Sequence, residues 1–470
     1  MLRGGLAEPC PLPGSGTRAK ATPGGTRRHR MTKTLLLLCL LPLLPFRAPA
    51  QRPAEASLRA ALEQYRASGE IGYLHEAFLG LEQNQCRRAG CQTAITISTL
   101  QQQLAHPAAA VLEYVLGEQE VFVFCITATG FSLTALPKDF PLEQWVEQMR
   151  LGLTSFHTNP DMAAAYDSLA GVYTETAFRL YEKLLQPVLA GLPPKLMLIP
   201  DGVLHRIPFE VLLEKKAAYP TRWSQHAYLL HRFEIRYGYP ATLFCDRQPS
   251  PNPPPPEVPF IGFAPSAAPT DHRASLPDDM REIPKPLPCS GEEVRGIARL
   301  FRGRVLLGEA ATRTAFWANA ASARMLHLAG HGQANQLAGD SCFLVFASPS
   351  GAPEAGRLFA CDIQSLQLRT ELVTLSACET GVGEWRPGEG PISLAHAFAF
   401  AGAQNVVTSL WSVSDAKTKD LMLDFYTRIA LGTPQVEALR DAQLNFLYHH
   451  KGQWAHPFYW AGFVLIESNQ

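Results

Sequence analysis

Two short apolar runs constrain this chain more than anything else in it. Arg324-Met-Leu-His-Leu-Ala-Gly-His331-Gly332 ends in a histidine between two glycines, and Glu371-Leu-Val-Thr-Leu-Ser-Ala-Cys378-Glu-Thr-Gly381 ends in a cysteine. Apolar runs of this length, bounded by turn residues, read as buried parallel strands. Open parallel sheets bind ligands outside the carboxyl ends of their strands, where both residues would sit. A thiol and an imidazole leaving neighbouring strands at one edge would come within hydrogen-bond reach, the arrangement a cysteine nucleophile and its base require. The imidazole raises the reactive thiolate fraction. Gly332 permits a tight turn and a close backbone approach, so its amide and that of Cys378 are natural oxyanion donors. A single Cys or His at a strand end is more often packing than catalysis, so the reading depends on the surrounding pattern.

That pattern alternates strand and helix. Phe260 to Ala264 reads as a strand, Glu292 to Phe301 as a helix, Arg304 to Leu307 as a strand and Thr312 to Ala320 as a helix leading into the histidine run. After Cys378 the chain is too glycine-rich to be regular (Gly381, Gly383, Gly388, Gly390) and reads as a loop. Helix Ile392 to Ala401 then ends at Gly402, strand Asn405 to Trp411 follows, and two further helices precede a last strand at Trp460 to Ile466. Such an order implies a mostly parallel α/β sheet flanked by helices.

Upstream, residues 109–247 form a smaller α/β unit. It holds strands at Ala110 to Leu116, Glu120 to Ile126 and Phe131 to Ala135, helices over Pro141 to Phe156 and Met162 to Leu189, and a strand at Lys195 to Pro200. Residues 51–108 carry helical periodicity (Leu58, Leu62, Tyr65; Leu74, Phe78, Leu81; Ile95 to Leu104) and read as a short helical arm without an internal repeat. Residues 248–259 are a proline-rich linker or loop, and 260–470 form the part bearing histidine and cysteine. The first fifty residues read as a leader. From Met31 a basic residue, the apolar core Leu35 to Phe46 and Ala48-Pro-Ala50 give a secretory signal cleaved near Ala50. Its core is too short to span a bilayer as a helix. Export to the periplasm or outside the cell follows if that signal is used, with a cytoplasmic location otherwise.

At 46% apolar and 18% charged residues the chain is folded, and 42 basic against 42 acidic residues give no electrostatic reason for a nucleic-acid or anionic-membrane partner. Cys86 and Cys91 are the first pair for a disulfide after export, whereas Cys125 and Cys342 lie in apolar runs as core thiols. Signatures of structural zinc, zincins and serine hydrolases are missing, and no metal or cofactor is expected.

Taken together, these stretches resemble the CHAT family of caspase-like cysteine peptidases, related to caspases and separases. His331-Gly332 matches its histidine motif and Ser376-Ala-Cys378-Glu-Thr-Gly381 its cysteine motif. Gly388-Glu-Gly390, Leu394-Ala-His-Ala-Phe398, Ala401-Gly-Ala403, Ser409-Leu-Trp411-Ser-Val-Ser-Asp415 and His456-Pro-Phe-Tyr-Trp-Ala-Gly-Phe-Val-Leu465 follow the family pattern. Ile199-Pro-Asp-Gly-Val-Leu-His-Arg-Ile-Pro-Phe-Glu210 resembles the segment that opens the family's domain, so the likeness runs from about residue 175 to 467. The resemblance implies a caspase-like fold and hydrolysis of peptide bonds in a protein substrate by a Cys378–His331 dyad. Relatives of this fold tend to demand one P1 residue, and an acidic pocket built from Asp340, Glu389 or Asp415 would select Lys or Arg. Capping is the ordinary role for Asp415, and solvation for the other two. A catalytically silent scaffold, a protein-binding module and an acyltransferase stay open, as does a regulatory protein partner.

Overall fold

Strands buried on both faces build the first half of the molecule. The computed structural model describes residues 52–468, except 90–94, 106, 159–164, 240–255, 267–286, 335–340, 349–352, 378–379 and 387–389 and the side chains of 52–53, 85–89, 156–158, 353, 385–386 and 390. Helices α1 (Arg52–Ser68), α2 (Gly72–Ala89) and α3 (Ile97–Gln103) lead into strands β1 (Ala109–Leu116), β2 (Glu120–Thr127) and β3 (Phe131–Pro137). Side chains alternate across a strand. Val111, Val115, Phe122, Phe124 and Ile126 therefore face Leu58, Leu62, Leu74 and Phe78 of the helical arm. Ala110, Leu112, Tyr114, Val121 and Val123 point the other way, into the main core with Val146, Met149, Tyr173 and Leu180. Those partners come from α4 (Leu142–Thr158) and α5 (Tyr166–Leu184), which precede β4 (Lys195–Ile199) and β5 (Glu234–Gly238). The arm is thus a lid on one sheet face. Each buried Phe there contributes roughly 1.5–3 kcal/mol of transfer free energy before entropy is charged against it.

The second half interleaves strands and helices. In chain order it comprises β6 (Val258–Ala264), α6 (Pro288–Phe301), β7 (Arg304–Leu307), α7 (Arg313–Asn319), β8 (Ala323–Ala329), β9 (His331–Gln333), β10 (Phe343–Val345) and β11 (Arg357–Phe359). Then follow α8 (Ala360–Gln364), β12 (Leu372–Ser376), β13 (Glu384–Arg386), β14 (Gly390–Ile392), α9 (Leu394–Phe400), β15 (Asn405–Ser409), α10 (Asp415–Ala430), α11 (Gln435–His449) and β16 (Phe463–Glu467). Side-chain caps mark the helix starts: Thr312 accepts the Ala315 amide at 3.0 Å, and Ser393 accepts the His396 amide at 3.2 Å. Helix α9 stops where expected. Gly402 has φ +106°, and a Cβ there would stand 2.4 Å from the Leu368 carbonyl oxygen.

Both halves share one sheet of order β3-β2-β1-β4-β5-β16-β15-β12-β8-β6-β7. Strands β1, β4, β5 and β16 run parallel to one another, as do β15, β12, β8, β6 and β7, and β15–β16 is the antiparallel join between the two sets. The smaller unit therefore does not stand apart. Pairs Ile466↔Tyr237 and Glu467↔Gly238 stitch it to the other half, with an Arg236–Glu467 ion pair at 2.7 Å. Arg150 of α4 donates to the carbonyls of Arg206 and Leu410, the latter just beyond β15.

Two local expectations are corrected. Glu384 to Arg386 and Gly390 to Ile392 are not loop but an antiparallel pair, Glu384↔Ile392, Trp385↔Pro391 and Arg386↔Gly390. The glycines allow it: a Cβ on Gly383 would lie 1.9 Å from the Ile392 carbonyl oxygen. Gly332 does not turn the chain either, since β9 runs on as a strand in a separate sheet, β11-β10-β9. The proline-rich stretch lies outside the described residues up to 255, as do Cys91 and the Cys86 side chain. Cys125 and Cys342 are both buried. Among the described residues no helix is long and apolar enough to cross a membrane.

Candidate active site

Strands β8 and β12 set the geometry. They pair in parallel from Leu372↔Met325 to Ser376↔Ala329, so their carboxyl ends are level. The Gly330 amide donates to the Ser376 carbonyl at 3.2 Å and ties the two ends together just before His331. All of β12 is buried and all of β8 except Arg324, which is why neither run alternates in sequence.

His331 is half-buried at the start of β9, opposite Val345 of β10. Beside it lies an open cleft of ≈ 220 Å³ whose walls are apolar, among them Phe263, Pro265, Leu328, Leu344 and Phe346. Gly332 stands opposite Leu344.

Cys378 lies outside the described residues, but the chain on either side of it is closely held. The Ala377 carbonyl accepts the Ser409 hydroxyl. Thr380 Oγ1 lies 2.9 Å from Thr408 Oγ1 and accepts the Ser409 amide at 3.3 Å. The Gly381 amide donates to the Ser409 carbonyl at 2.9 Å, and the Ala395 amide donates to the Thr380 carbonyl at 3.2 Å. Both flanks are thereby fastened to the carboxyl end of β15, itself the neighbour of β12.

Of the acidic residues considered for a substrate pocket, Asp340 and Glu389 lie outside the described residues. Asp415 opens α10, and its carboxylate accepts the Cys289 amide at 2.8 Å, joining the starts of α6 and α10. Burial holds its carboxyl above the usual range; the Cys289 amide pulls it down and Glu293 pushes it up.

One buried polar chain escaped the reading of the sequence. His327 Nε2 lies 2.7 Å from Glu293 Oε1 and its Nδ1 3.2 Å from the Tyr426 hydroxyl, which in turn meets Thr374 Oγ1 at 2.7 Å. His327 and Thr374 are paired across β8 and β12. The available signal was a polar residue in the middle of each apolar run. In the first half, Tyr237 plays a similar part: its hydroxyl donates to Glu210 Oε2 at 2.6 Å and accepts the Phe209 amide at 2.7 Å. Burial pushes the Glu210 carboxyl up to about 7, with the Tyr237 bond opposing. A larger space of ≈ 380 Å³ lies between the halves, lined by Tyr237, Tyr239, Leu410 and Gly381 among others. It reaches Gly381 of the cysteine run and has no lining residue in common with the cleft beside His331.

A sheet carrying a histidine at one strand end, level with the end of the strand that leads to a cysteine, defines a caspase-like α/β protein. Residues 174–468 match the model of the CHAT domain, more than half of the chain, and the protein belongs to that family. Tetratricopeptide repeat protein 28 of Homo sapiens is 26% identical over 339 residues, covering 62% of this chain and 13% of its own length. Its Mus musculus counterpart is 25% identical over 341 residues with the same shares, so the chain spans only a small part of these curated relatives. Among solved structures, the separase–securin complex of Saccharomyces cerevisiae superposes with a TM-score of 0.50 at 9% identity, covering 84% of this chain and 34% of that one. That likeness concerns the fold.

Proposed function

We propose that this protein is a cysteine endopeptidase that uses Cys378 and His331. In the first step His331 takes the thiol proton and the Cys378 sulfur attacks the scissile carbonyl carbon. The oxyanion is met by the backbone N–H groups of Gly332 and Cys378. His331 then gives its proton to the departing amine, leaving a thioester. Water, deprotonated by the same imidazole, attacks that thioester, releasing the carboxylic acid and restoring the thiol. No metal or cofactor enters the scheme.

The single observation that carries this reading is the level, hydrogen-bonded junction of the β8 and β12 ends, Gly330 to Ser376 at 3.2 Å, with the dyad residues following directly in sequence. Family membership supports the same reaction class. Asp415 is engaged with Cys289, so the proposal for a basic P1 residue rests on Asp340 and Glu389. A protein substrate and a regulatory protein partner fit the reading, and the leader beginning at Met31 supports export before the enzyme acts.

The test is a positional-scanning peptide library presented to wild-type protein and to Cys378→Ala, after limited proteolysis to release any zymogen. Cleavage concentrated at peptides with Lys or Arg at P1, and abolished in Cys378→Ala, is expected. Equal cleavage by both proteins, or none by wild type, contradicts the peptidase and leaves the binding module as the better account.

A further inference from the structure

Two hydroxyl side chains of β15, a strand the dyad does not use, meet the segments just before and after Cys378, where Thr380 supplies a third hydroxyl. Thr380 is 1% exposed, and Thr408 and Ser409 are fully buried at the end of β15. A hydroxyl has one proton to donate and two lone pairs to accept with. Thr380 Oγ1 has partners for all three: the Thr408 hydroxyl at 2.9 Å, the Ser409 amide at 3.3 Å, and the carbonyls of Leu375 and Ala377, each at 3.5 Å. Ser409 Oγ donates to the Ala377 carbonyl from the other side. Only residues 378 and 379 separate the two anchors in sequence. A Cβ on Gly381 would stand 2.9 Å from Thr408 Cγ2, so the chain also crosses β15 in close contact.

We propose that Thr380 and Ser409 are positioning residues that fix the turn after β12 and thereby hold the Cys378 sulfur in register with His331. The proposal rests on the reading of Cys378 as nucleophile. It assigns to β15 a part in the reaction: the strand acts as the clamp on the nucleophile's turn. Valine at 380 keeps the shape but can neither donate to the carbonyls nor accept the Ser409 amide, whereas serine can do both.

The experiment is the rate of Cys378 alkylation by iodoacetamide between pH 5 and 10, read by mass spectrometry of the labelled peptide. Exposed Cys361 serves as internal reference and circular dichroism as the check of folding. Thr380→Val is expected to slow Cys378 labelling at pH 7 about tenfold and to move its midpoint up toward an ordinary thiol, at about 8.5. Thr380→Ser should restore the wild-type profile. Should Thr380→Val fail to fold, Ser409→Ala carries the same test, with the same direction expected. A folded Thr380→Val or Ser409→Ala protein with wild-type rate and midpoint overturns the proposal. If wild-type Cys378 labels no faster than Cys361, the nucleophile reading itself falls, and the positioning role with it.

Discussion

The two halves of the sheet use the same materials to different ends. In the first half, polar groups at strand ends are consumed in holding the backbone. Asp201, just after β4, accepts the Leu116 amide at 2.7 Å, and Tyr237 of β5 bridges Glu210 and the Phe209 amide. In the second half that task falls to the Gly330 amide, Thr380 and Ser409, which flank His331 and Cys378 without being either of them. A parallel sheet offers the same edge in both cases. On the proposed reading, anchoring at this edge is delegated to neighbours of the two reacting residues.

The contrast can be broken most sharply at His331. Replacing it with alanine is expected to lower kcat/KM for a cleaved peptide by about 10³-fold, while the thermal midpoint stays within a degree or two; a loss of less than tenfold would place catalysis elsewhere. Glu210 gives the next largest effect, on stability. Its carboxyl, normally at 4.5, is raised to about 7 by burial. The folded state therefore favours the protonated form, so the contribution is fully present below pH 4.5 and is lost as pH rises through 7. About 3 kcal/mol should disappear across that window. Urea unfolding of wild type against Glu210→Gln would reveal it as a slope that the variant flattens.

Tyr237→Phe and Tyr426→Phe form a matched pair, one in each half. Each removes a buried hydroxyl that satisfies two partners and should cost about 1–3 kcal/mol in urea unfolding. Turnover per folded molecule is expected to stay within about threefold in Tyr237→Phe. A tenfold loss there would show the first half to be coupled to the reaction. The smallest effect belongs to Arg324, whose ion pair with Glu371 at 2.7 Å joins the starts of β8 and β12 in the open. Arg324→Ala should lose no more than about 1 kcal/mol, and less in high salt.

Much of this architecture was legible because the central stretches are apolar apart from His327 in one and Thr374 in the other. Met325 to Ala329 and Leu372 to Leu375 announce themselves, and Gly402 marks a helix end by the φ that only glycine takes easily. Strand β5 was not legible: Glu234-Ile-Arg-Tyr-Gly is short and charged, and it becomes a strand by pairing with β4 and with β16, more than two hundred residues away in sequence. No local pattern encodes that partner. The β13–β14 hairpin was hidden by glycines that read as irregular but in fact admit a second backbone at close range. At the site, His331 could be found from its run, whereas His327 looked like part of the strand and turned out to be linked to Glu293 and Tyr426 from separate helices. Side-chain networks between distant elements carry almost no sequence signal.

The most direct test of the central claim is whether His331 governs the reactivity of Cys378. Pseudo-first-order alkylation of Cys378 should be measured across pH in wild type and in His331→Ala, with exposed Cys361 as the reference thiol in the same molecules. The account predicts that wild-type Cys378 outpaces Cys361 near pH 7 and that His331→Ala removes the advantage while Cys361 is unchanged. Identical Cys378 profiles in the two proteins would contradict it.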